Sequence, residues 1–106
     1  MAKYLMRISL TTEGVKLLHK DKATGLRARA STVMEAAGGK LEAYYFAFGQ
    51  DDVIALAELP DNVTAASISV AVNANGFVRF TMTPLLTAED MDKAIEKSGA
   101  YPVPGR

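Results

Sequence analysis

Four runs of this chain alternate in side-chain character, and the two sets into which they sort constrain the fold more than any other feature. Successive side chains of a strand point to opposite sides of a sheet. Counted by twos through 3–11, 40–48, 52–59 and 77–83, one set is apolar throughout; it includes Tyr4, Met6, Ile8, Val53, Ala55 and Phe80. Its alanines suit closely packed helices, so it marks a covered face. The other set is mixed. It brings Leu5, Tyr44, Phe46, Phe48, Ile54, Leu56 and Phe77 together with Arg7, Asp52, Glu58 and Arg79. So large an apolar patch is out of place on a solvated face, and four charges are out of place in a plain core. A sheet packed against a second copy of itself, around a partly polar cavity, meets both demands. The alternation therefore predicts a homodimer.

Between these strands the spacing turns helical. Thr12-Glu13-Gly14 opens one helical stretch, with Val15 and Leu18 on one side. Lys20-Asp21-Lys22-Ala23-Thr24-Gly25 breaks the pattern and Leu26, Ala30, Val33 and Ala37 restore it, so a kink or loop is expected near Gly25, and Gly38-Gly39 is the stop. Asp61 is the expected N-cap of a small-residue helix that ends at Gly76. Thr87-Ala88-Glu89-Asp90 resembles the capping box of a last helix, which Gly99 ends. The order β-α-β-β-α-β-α is the split βαβ arrangement of a ferredoxin-like α+β fold: a βαββαβ subunit with an antiparallel sheet and an extra C-terminal helix. Residues 1–99 read as a single domain, and the proline-bearing 100–106 as an extended tail.

At 106 residues, 49% of them hydrophobic, the chain is long enough for one core without staples. Twelve basic and twelve acidic residues cancel, which argues against nucleic acid or an anionic membrane as partner. The absence of cysteine removes thiol chemistry, disulfides and thiolate metal sites. No run approaches the roughly 20 apolar residues of a membrane span, and the start MAKYLMRISL lacks the form of a signal peptide, so a cytoplasmic protein is expected. No nucleotide fingerprint, nucleophile elbow or zinc signature is present, and no cofactor is expected.

Several short motifs carry a further likeness. Thr12-Glu13-Gly14-Val15-Lys16, Gly38-Gly39-Lys40, Phe48-Gly49-Gln50-Asp51-Asp52, Glu58-Leu59-Pro60-Asp61 and Gly76-Phe77-Val78-Arg79 resemble the GYD-domain family, over nearly all of residues 4–90. That resemblance implies membership of the dimeric α/β-barrel superfamily, whose two sheets close into a barrel. It implies an assembly rather than a reaction, because relatives in the superfamily range from cofactor-free monooxygenases to lactone isomerases and haem-binding enzymes. The chain departs from the family pattern at its name-giving tripeptide: Asp51 stands where the family has Tyr, and Asp52 keeps the Asp position.

Asp51 and Asp52 are adjacent, so on a strand they face opposite ways and do not jointly flank a substrate. Asp51 reads as a turn residue. Asp52 falls on the mixed face, either accepting hydrogen bonds there or moving protons. Arg7 and Arg79 share that face on neighbouring strands. They suit an anionic substrate group, or equally pairing with Asp52 or Glu58. His19, the lone histidine, precedes the polar break in the first helical region; a surface position and a general-base role are both open. A single histidine without cysteine makes no metal site. Tyr44 is assigned to the cavity face, as packing or as ligand contact. The expectation is a homodimer, with itself as partner and higher assembly open, that binds a small anionic or aromatic molecule in its barrel through Arg7, Tyr44, Asp52 and Arg79. A cofactor-independent monooxygenase- or isomerase-type enzyme using Asp52 or His19 is one alternative. A structural or regulatory assembly module is the other.

Overall fold

In the computed structural model, which describes residues 1–105, four strands and three helices alternate in the expected order. They are β1 (Ala2–Leu10), α1 (Thr12–Ala36), β2 (Lys40–Phe46), β3 (Val53–Leu59), α2 (Asn62–Ala74), β4 (Val78–Leu85) and α3 (Ala88–Ser98). The strands form one antiparallel sheet in the order β2-β3-β1-β4. The last residue of the tail, Arg106, lies outside the described residues.

The helix ends follow from local chemistry. The Thr11, Asp61 and Thr87 side chains accept from the amides of Gly14, Thr64 and Asp90 at 3.2, 2.8 and 3.0 Å, each satisfying a first-turn donor. Asp61 is held below its usual carboxylate range by the Thr64 amide. At the far end of α1, Gly39 N donates to Met34 O and Gly38 N to Glu35 O, at 2.9 and 3.0 Å. That paired closure needs a left-handed residue, which Gly38 supplies at φ 83°.

Beneath the helices lies the core. Tyr4, Met6, Val53, Ala55, Ala57 and Leu59 are each no more than 1% exposed, and Met34, Ala65, Ile68 and Phe80 pack onto them. These are the apolar-set residues of β1, β3 and β4, so the covered face is where the alternation places it. The Tyr4 hydroxyl, at the edge of this core, donates to Asn62 Oδ1 at 2.6 Å.

Two expectations are corrected. The break in α1 is at Lys22 (φ 67°, ψ 171°) rather than near Gly25, which sits inside the second helical run. Lys20-Asp21-Lys22 offers no apolar side chain to hold that turn on the sheet, and such a backbone conformation is nearly confined to glycine. The second correction is in β2. Leu41 pairs with Ala57 but Ala43 with Leu56, so a bulge inserts one extra residue. Parity reverses beyond it: Tyr44 lies opposite Ala55 and Phe46 opposite Val53, on the covered face, while Tyr45, opposite Ile54, turns outward. Phe77 precedes β4 instead of opening it, and Phe48 is fully exposed in the β2–β3 loop.

The molecule is elongated, 56 × 29 × 23 Å, with a radius of gyration of 16.7 Å. A compact chain of this length would have about 13 Å. The excess comes from α3, which buries none of its residues and leaves Met91 and Ile95 at least half exposed.

Candidate functional site

The kink at Lys22 turns α1 across the sheet, and the helix meets the sheet chiefly through its second half, against β2; α2 lies over β4. A cavity of about 370 Å³ remains between the two helices and the sheet. Its floor is Met6, Ile8, Tyr44 and Phe80, from β1, β2 and β4. Leu17, Leu26, Ala30 and Met34 of α1 roof it. Val72 and Phe77 close the side near α2, and Gly14 holds the end. A Cβ at Gly14 would stand 2.0 Å from the carbonyl oxygen of Phe77, so only glycine allows α1 to start so close to β4. Thr11 N completes that seam, donating to the same oxygen at 3.2 Å.

Three polar groups interrupt the apolar lining: Arg29, Asn75 and the Tyr44 phenol. Burial raises the Tyr44 pKa, so the phenol is a neutral donor at physiological pH. Its ring meets Phe46 edge to face, with centroids 5.6 Å apart. Arg29 is held by Asp21, whose Oδ2 accepts from Nε at 2.8 Å and lies 2.6 Å from Nη2. Among the described residues no carboxylate or histidine lines the cavity. Among the described residues no group of three or more acids or histidines could hold a metal ion.

The residues singled out on the mixed face are distributed differently. Arg7 donates through Nε to Asp51 Oδ2 at 2.9 Å, so the acid that answers it is Asp51 rather than Asp52 or Glu58. Asp52 Oδ2 accepts from Leu10 N at 2.7 Å, and its own amide donates to Ile8 O, which ties the β2–β3 loop to the end of β1. Arg79 pairs across the ladder with Ser9, and among the described residues it makes no ion pair. Tyr44 is on the opposite side of the sheet from all three, in the cavity. His19 is exposed on the first half of α1. The open face keeps Leu5, Ile54 and Leu56 at its centre and gains Tyr45, which is 71% exposed. One end of that face is crossed by ion pairs, Lys3 to Glu42 at 2.7 Å and Lys40 to Glu58 at 3.3 Å. Lys40, then Lys3, lowers the Glu58 pKa, and Glu42 raises that of Lys3.

Sequence reasoning missed the cavity altogether. Most of its walls are residues that read as ordinary core, Tyr44 and Phe77 read as mixed-face residues, and Arg29 is set among the apolar positions of α1.

Together the split βαβ order and the antiparallel sheet beneath its helices define an α+β protein of the ferredoxin-like class. The GYD domain family model matches residues 4–95, and the chain belongs to that family. No curated protein and no solved structure gave a match. No helix among the described residues is long and apolar enough to cross a membrane.

Proposed function

We propose that this protein binds a small, largely apolar or aromatic molecule in the cavity between the sheet and α1. The observation that carries the reading is the half-open, apolar cavity of about 370 Å³ with its few polar groups. Ligand pockets are apolar clefts of this order, with a small number of polar groups that set orientation. A binding role suits the lining better than turnover does. Its neutral phenol and paired guanidinium provide donors, while Asp52 is engaged by backbone and His19 stands outside. Titrating octan-1-ol or 2-naphthol into protein with 13C-labelled methionine methyls tests this. The Met6 and Met34 signals, both from buried cavity residues, are expected to shift with saturation while Met1 and Met91 stay unmoved. Absence of any shift at millimolar ligand sinks the proposal.

A second reading concerns assembly, and two features favour it. The open sheet face has an aliphatic centre with charged margins, the anatomy of an interface. The amphipathic α3 leaves Met91 and Ile95 at least half exposed. A homodimer with the sheets facing, and α3 of each subunit laid along the other, covers both surfaces. The ligand cavity opens on the far side of the sheet and would remain available in such a dimer.

A further inference from the structure

Resting on the cavity reading, we infer that the preferred ligand is an amphiphilic acid, with its apolar body among Met6, Leu26, Met34 and Phe80 and its carboxylate against Arg29. Two observations lead there. The lining contains one charged side chain, a cation, and no acid. Among the described residues the one ion-pair partner of that cation lies outside the lining and engages one side of it: Asp21 takes Nε and Nη2 through a single oxygen, Oδ2. A guanidinium presents five N–H donors in a planar fork, and besides the Nε–Nη2 side it has a second edge, formed by Nη1 and Nη2, that can receive a carboxylate bidentately. Asp21 thus holds Arg29 in place while leaving that edge for a second anion.

The bend at Lys22 makes this arrangement available. Eight residues of straight helix would separate Asp21 from Arg29 by about 12 Å along the axis, beyond direct pairing. The positive φ of Lys22 brings the two together, and the Arg29 side chain, 62% exposed, lies at the solvent side of the cavity lining. Elsewhere in the lining, Asn75 and the neutral Tyr44 phenol add donors suited to the oxygens of an acid. A hydrocarbon or a neutral alcohol would fill the apolar space without answering Arg29.

The test compares matched pairs: octanoate against octan-1-ol, and 2-naphthoate against 2-naphthamide, each followed by the Met6 and Met34 methyl signals at low salt. Wild-type protein is expected to bind the acids at least 10-fold more tightly than their neutral counterparts. Arg29→Gln is expected to erase that preference, bringing the acids down to the affinity of their neutral counterparts, and Arg29→Lys to restore part of it. Equal affinity for acid and neutral partner in the wild type would overturn the acid preference and leave the cavity reading intact. Binding of neither member would overturn both. An acid preference that survives Arg29→Gln would place the anion elsewhere and overturn the assignment to Arg29.

Discussion

Tyr44 lies directly opposite Ala55 on the neighbouring strand, so its ring faces the helices, while Tyr45 beside it points to the open face. The two adjacent tyrosines are therefore expected to respond differently to truncation. Tyr44→Ala should cost ~2 kcal/mol or more, because it strips a half-buried ring from the cavity floor. Tyr45→Ala should leave the stability of the isolated subunit nearly unchanged, since that ring is 71% exposed. Urea unfolding of both variants measures the difference. Equal losses would mean that β2 lacks the bulge.

The same burial makes a pH prediction. Tyr44 ionises at a higher pH when folded than when unfolded, so the native state holds more protons in the interval between the two values. Stability is unaffected below the unfolded tyrosine value of about 10 and falls as pH rises above it. Tyr44→Phe should flatten that alkaline decline relative to wild type in denaturant titrations between pH 8 and 11. A decline of unchanged slope would show that Tyr44 ionises as freely in the folded protein.

How far the sequence reaches is clearest at these positions. Asp61 and Thr87 were readable as caps because capping depends on a residue and the amides three positions on. The covered face of β1, β3 and β4 was readable because an unbroken strand keeps its period. In β2 one extra residue at Glu42–Ala43 reversed that period without a glycine or proline to announce it, and Tyr44 and Phe46 were assigned to the wrong face. The kink in α1 was legible from the polar stretch 20–25, but its place at Lys22 was not, because the nearest breaker in the sequence was Gly25. Neither aspartate partner could be assigned from strand parity, since Asp51 reaches Arg7 from a loop. The cavity depends on where α1 and α2 come to rest, and its walls are drawn from five elements.

At the kink, Lys22 occupies a conformation that costs a residue with a side chain about 1–3 kcal/mol. Lys22→Gly relieves more strain than the added unfolded-state entropy of glycine costs, and should raise stability by up to ~1 kcal/mol in chemical denaturation. A clear loss would show that the lysine side chain contributes more there than its backbone costs.

Gly14 seals the end of the cavity where α1 meets β4. Gly14→Ala forces a methyl group into the Phe77 carbonyl, so the helix start has to move; a loss of about 1–3 kcal/mol is expected on thermal or urea unfolding. Unchanged stability would mean that the seam between Thr11 and Phe77 is looser than its hydrogen bond indicates.

Assembly is tested at the centre of the open face. Leu56 is partly exposed in the single subunit, so Leu56→Asp should leave the fold intact by circular dichroism yet yield a monomer. Removal of residues 87–106 should weaken association in the same direction. In sedimentation at micromolar concentration the wild type is expected to run as a dimer. A wild-type monomer over a 100-fold concentration range would contradict the sheet-to-sheet arrangement.

The most direct test of ligand binding beneath α1 is crystallographic. Crystals soaked in 6-bromo-2-naphthol should show a bromine anomalous peak between the sheet and α1, bounded by Met34, Tyr44 and Phe80. A peak on the open face beside Arg7 and Arg79, with the cavity empty, would contradict the account.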